Sequence, residues 1–113
     1  MEQESILNSI KTMLNVPVDS GEFDVDLIIH INSVFAILTQ LGVGPDNGFE
    51  ITGAKEKWSD FVNDKKLSTL KTYVYMKVKL IFDPPTVGSV LDSYKELIRE
   101  FEWRTHIEGD TNL

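Results

Sequence analysis

The chain has 113 residues, 42% hydrophobic and 26% charged, a balance that fits one folded domain and excludes a disordered polymer. It contains no cysteine, which removes disulfides and thiolate metal sites. Its net charge of −7 argues against a sequence-specific DNA reader, whose phosphate contacts need a basic face.

In chain order, Met1-Glu2-Gln3-Glu4 lacks the basic-then-apolar order of a signal peptide. No apolar run approaches the roughly 20 residues that span a bilayer. The expected place is the cytoplasm or something assembled there. A first helix is expected over Glu4–Leu14, with Ile6, Leu7, Ile10, Met13 and Leu14 on one side. It stops before Pro17, and Val18-Asp19-Ser20-Gly21 reads as a turn.

The second helix is expected to start after Asp24 as N-cap and to end at Leu41, with Gly42 terminating it. Leu27, Ile31, Val34, Leu38 and Leu41 form its stripe, widened by Ile28 and Phe35. Ile29 and Ile37 fall outside that stripe, so this helix is buried on most sides, centrally or in a subunit contact. Residues 42–53 form one long loop with strong turn chemistry in Gly44-Pro45-Asp46-Asn47-Gly48 and a brief extended piece at Phe49-Glu50-Ile51.

A short third helix near Ala54–Val62 carries Trp58 and Phe61 on one face, and Asn63–Lys66 is a polar linker. The fourth, about Leu67–Phe82, repeats Leu67, Leu70, Val74, Val78 and Ile81 at helical spacing. Phe82-Asp83-Pro84-Pro85 then forces a corner, because two successive prolines remove donors and push their predecessors out of the helical region. The fifth helix, about Thr86–Thr105, carries a core stripe of Val87, Val90, Leu91, Tyr94, Leu97, Ile98 and Phe101. A polar tail that is expected to be frayed and flexible follows at 108–113. The expected architecture is all-α, one domain over 1–113: a small bundle of about five helices, one long loop and a double-proline corner.

The charge is laid out in blocks. Residues 1–50 hold one base against eight acids, residues 51–80 seven lysines against three acids, and residues 81–113 three bases against seven acids. Such blocks are ordinarily solvated faces. Here Lys71, Tyr75 and Lys79 are spaced to share the outer face of one helix. An acidic and a basic surface on one small molecule can pair between copies, head to tail, and close into a ring. Ile29, Ile37, Lys71, Tyr75 and Lys79 are therefore the candidates for subunit contacts.

Motifs of chemistry are missing from the sequence. No phosphate loop, dinucleotide glycine pattern or nucleophile elbow is present. Gly42-Val43-Gly44 follows a helix and precedes a proline turn, which explains it as helix termination. His30 and His106 do not form a pair, and Asp60 and Asp64, one turn apart, lack further ligands for a cation. Neither an enzyme nor a cofactor is indicated. The last helix offers Trp103 about half a turn away from the core stripe, with Ile107 extending that face and Arg99 placed to stack on the indole. Trp103 either folds back on the first helix or loop, or makes an intermolecular contact, for which tryptophan and arginine are favoured residue types.

Several stretches, in order, resemble the head–tail connector (adaptor, or head-completion) proteins of long-tailed bacteriophages. They are Phe23-Asp24, Ile31-Asn32-Ser33, Gln40-Leu41-Gly42-Val43-Gly44, Trp58-Ser59-Asp60-Phe61, Tyr73-Val74, Leu80-Ile81-Phe82-Asp83-Pro84-Pro85 and Glu102-Trp103-Arg104, covering about residues 23–104. The resemblance implies a helical, non-catalytic subunit without a cofactor. It implies a ring, usually of twelve copies in the virion, that sits beneath the portal, extends the DNA channel and docks the next head-completion, stopper or tail protein. DNA passes through without sequence-specific binding. The C-terminal segment is implied to engage the portal, which makes Arg99, Phe101, Trp103, Arg104, His106 and Ile107 portal-contact candidates. An acidic channel wall repels phosphate and fits this role. The competing readings are a small helical regulator, of repressor or antirepressor type, and a small hydrolase. The acids Asp92, Glu96, Glu100 and Glu102 give the helix after the corner the wrong sign for a major groove.

Overall fold

The computed structural model describes residues 5–62 and 67–111, with side chains through Thr105. Five helices are found there and no strand: α1 (Ile6–Met13), α2 (Asp24–Gln40), α3 (Trp58–Phe61), α4 (Leu67–Phe82) and α5 (Gly88–Thr111). The fold class is the all-α bundle that the periodicities imply. The expected linker at Asn63–Lys66 lies outside the described residues, except that Val62, before it, leaves α3 in an extended conformation.

The helix starts differ from expectation for local reasons. Ser5 caps α1, which starts at Ile6, its hydroxyl accepting from the Asn8 amide at 3.2 Å. Phe23 occupies the N-cap position of α2, and Asp24 is the first helical residue. The Asp24 carboxylate is occupied elsewhere, accepting from the Lys11 ammonium at 2.7 Å. Lys11 is 1% exposed and also donates to the carbonyls of Val18 and Ser20 at 3.0 and 2.6 Å. A buried ammonium is tolerable only when its protons are all taken. Three acceptors meet that need, and they fasten the Val18–Gly21 turn to the start of α2.

The core is built around α4, which packs against α1, α2 and α5. Leu27, Ile31, Val34, Phe35 and Leu38 of α2 meet Leu70, Val74 and Val78 of α4, with Ile6, Leu7 and Ile10 of α1 closing the cluster. The α3 segment is one turn, shorter than the Ala54–Val62 expected, because its job is to bury two aromatics. The Trp58 indole N–H donates to Ser9 Oγ at 2.7 Å, and the Phe61 ring lies 4.5 Å from Phe35. An antiparallel bridge joins Ser5 to Lys57, and the Ile6 amide donates to Glu56 O at 3.0 Å.

The long loop is irregular but not loose. Asn32 on α2 accepts from the Ile51 amide at 2.7 Å and donates to the Ile51 carbonyl at 3.0 Å. One side chain thereby satisfies a buried backbone pair as a strand neighbour would. Phe49 meets Phe35 edge-on at 5.5 Å. Gly44, at φ +88°, passes so close to the Phe61 ring that a Cβ there would lie 2.4 Å from it. At Glu56, burial raises the carboxyl pKa. Hydrogen bonds from the Thr52 hydroxyl and nearby amides outweigh this and hold it below its ordinary value.

The corner forms where the prolines place it. α4 ends at Phe82, the Asp83 amide still donates to Lys79 O, and α5 starts at Gly88. Phe82 packs edge-on against Phe23 at 5.3 Å, fixing the end of α4 to the start of α2. α5 then doubles back antiparallel to α4, with Tyr94 beside Tyr75 and Phe101 stacked on Tyr73 at 4.3 Å. It continues as helix through Thr111, past the Thr105 end expected for it and into the polar tail.

Candidate functional site

α5 has one principal neighbour, α4, and this decides what its residues can do. The stripe expected to be core is only partly so. Ile98 is buried and Leu91, Tyr94 and Phe101 are half-buried, but Val87, Val90 and Leu97 stay exposed, Leu97 at 51%. A helix with a single neighbour covers a narrow strip of its circumference, so the flanks of a wide apolar stripe remain in water. Between α4 and α5 this leaves a groove of about 460 Å³, floored by Tyr73, Met76 and Phe101, with Thr69 and Thr72 on one wall and Leu97 and Arg104 on the other.

Trp103 is 64% exposed, on the side of α5 turned away from α4. It does not fold back onto the first helix or the loop. The stacking expected from Arg99 is replaced by an ion pair, its guanidinium donating to Glu96 at 2.6 Å. Arg104 likewise donates to Glu100 at 3.3 Å. Phe101 is spent on Tyr73, inside the α4–α5 seam. For His106 and Ile107 only the helical backbone is described; their side chains lie outside the described residues. Of the six C-terminal candidates, Arg99, Trp103 and Arg104 are open to a partner and Phe101 is largely inside.

The candidates on α4 do not form an open basic face. The Lys71 ammonium lies 5.9 Å from the centre of the Trp58 ring, a cation–π contact. Tyr75 is half-buried, its hydroxyl 3.3 Å from that of Tyr94, and burial followed by that contact pushes it up to about 12. Lys79 pairs with Asp83, and Lys77 with Glu102, each at 3.5 Å. Within the chain, Glu102 of α5 and Asp83 of the corner thus each take up one lysine of the basic fourth helix. Sequence spacing put three residues on one helical face correctly but had no way to show that α5 returns alongside it. Glu102 also accepts from the buried Tyr73 hydroxyl at 2.7 Å, and burial with that bond raises the tyrosine pKa.

On α2 the two candidates separate. Ile37 is half-buried, while Ile29 is 56% exposed on the face opposite the core stripe. One turn earlier, Val25 is 70% exposed, and it was not singled out from sequence. The available signal was its i, i+4 spacing to Ile29 on the outer side. No group of three or more His, Asp or Glu placed to hold a metal occurs among the described residues. No described helix is long and apolar enough to cross a membrane.

A small helical bundle with a filled core and large apolar side chains set on two separate outer faces has the form of an assembly subunit. A family model described as phage connector protein matches residues 6–112, and the chain belongs to that family. Its role is structural, at the head–tail junction of a phage particle, in association with other head or tail proteins. This membership favours the structural reading over the regulator and hydrolase readings. No curated protein and no solved structure matches the chain.

Proposed function

We propose that the chain is an adaptor: its copies form a ring beneath the portal, twelve in the assembled virion, that extends the DNA channel and docks the next head-completion, stopper or tail protein. The observation that carries this reading is Trp103, 64% exposed near the far end of a helix held chiefly by one neighbour. A large aromatic in that position adds nothing to the fold and has the properties of an interface anchor. Arg99 and Arg104 flank it, and their surface ion pairs with Glu96 and Glu100 contribute little, so Arg99 can re-pair with the portal and Arg104 with a neighbouring copy. In this reading His106 and Ile107 extend the same contact toward the portal.

The corner at Phe82, Asp83, Pro84 and Pro85 sets the direction of α5 and so the direction in which Trp103 points. The net charge of −7 suits a channel that must release DNA instead of gripping it. The protein acts in the virion at the head–tail junction, having been assembled in the host cytoplasm, as one connector domain over 1–113.

Trp103→Ala tests the assignment. The variant keeps the parent's melting temperature and fails to join tails to DNA-filled heads, scored as unjoined heads by electron microscopy. A variant that unfolds, or that joins tails as the parent does, overturns it.

A further inference from the structure

The α4–α5 groove and the outer face of α2 have matching dimensions. Val25, Ile29 and Ser33 follow one another at four-residue spacing along the outside of α2, all exposed. Eight residues of helix span about 12 Å. The groove runs from Leu97 to Thr105 on α5, again eight residues and about 12 Å. The stripe is convex, with two branched apolar side chains followed by a small one that permits close approach. The groove is concave, floored by Met76 and Phe101 and rimmed on the α4 side by Thr72.

The two features cannot meet within one chain. α2 uses its inner stripe against α4, so Val25 and Ile29 point away from the helix that forms the groove. Charge agrees with a contact between copies. The groove carries both Arg104, 70% exposed, and its ion-pair partner Glu100, so Asp26, exposed beside Val25, can take Arg104 by displacing a weak surface pair. A contact joining one patch to a different patch is heterologous, and repeating it closes a ring when the rotation allows.

We infer that the α4–α5 groove is the seat for the Val25–Ile29 stripe of a second copy, with Asp26 of that copy against Arg104. This rests on the ring-forming reading above and names the two faces that make the ring. The electrostatic share is one surface pair, so the contact is chiefly apolar and only weakly salt-dependent.

The lack of native cysteine makes the test direct. Ile29→Cys and Thr72→Cys are placed together in one chain, oxidised free in solution and again on purified portal rings, and run without reductant. Both positions are exposed, so the fold is retained. The expected product is a ladder of covalent multimers from the double variant, with no more than like-with-like dimers from either single variant. A double variant that gives no ladder in either condition overturns the inference. If the parent still adds to portal rings in that case, the adaptor reading stands and only the choice of faces is wrong. If the parent does not add to them, the adaptor reading itself fails.

Discussion

Lys11 is the residue whose role is least expected from its identity. It is the single base among the first 50 residues, four positions after Leu7 and three before Leu14, and so on the apolar face of α1. That placement was the only sign of burial, and nothing local names Val18, Ser20 and Asp24 as its partners. Lys11→Met keeps the stem and removes the three charge-assisted hydrogen bonds, leaving two carbonyls and a carboxylate short of a donor. It is expected to cost about 2–3 kcal/mol in urea unfolding. The glycines at 42 and 44 make a matched pair at the same scale. Both have positive φ, near +86° and +88°, but only Gly44 faces the Phe61 ring. Gly42→Ala is expected to cost about 1 kcal/mol, for the left-handed backbone alone. Gly44→Ala costs at least a further 1–2 kcal/mol, because the ring is packed among Phe35 and Phe49 and has nowhere to move. Equal losses for the two would contradict this account.

Among the elements, α4 was read to the residue, since its apolar spacing and the prolines after Phe82 act locally. α5 was read correctly as a helix but wrongly as a core helix. Periodicity reports which residues share a face, and only tertiary packing decides how much of that face finds a neighbour. Ile98→Ala is expected to cost about 2–4 kcal/mol, as for a buried aliphatic truncation. Leu97→Ala, one residue away, should change stability by less than about 0.5 kcal/mol. The long loop was recognised as irregular from its turn residues. Its anchor, Asn32 on Ile51, pairs positions nineteen apart and left no local trace. Asn32→Ala should raise hydrogen exchange at the Ile51 amide well above that of core α2 amides. The Glu56 clasp on this loop has a pH dependence of known sign. Its native pKa is below the unfolded value of 4.5, so its contribution is full above that value and disappears as pH falls through the lowered native one. Protection factors at Thr52 and Gly53, taken relative to intrinsic exchange at each pH, should fall below pH 4.5 before the helices unfold, and Glu56→Gln should remove that pH dependence.

For the whole molecule, the acid–base–acid layout of the sequence has a different consequence once the corner and α5 follow α4. Lys77 and Lys79 are paired with Glu102 and Asp83 inside the chain, so salt-sensitive pairing between copies loses much of its basic partner. Neutralising Lys71 and Lys79 together should therefore change sedimentation only slightly more at low salt than at high salt. What the molecule offers neighbours is chiefly apolar: Val25 and Ile29 on α2, and Leu97 and Trp103 on α5. The head–tail role was legible from ordered motifs along the chain, several of which are structural fixtures: Asn32 holds the loop, Gly44 admits Phe61, and Phe82 meets Phe23. The outer faces were legible only in part, because exposure is a property of the assembled fold. The central claim is that this 12.8 kDa chain adds to a portal as a ring. Native mass measurement of portal rings before and after incubation with the protein tests it most directly. The account predicts one discrete added mass equal to a whole ring of subunits, lost with Trp103→Ala. Portal rings of unchanged mass beside free 12.8 kDa monomer would contradict it.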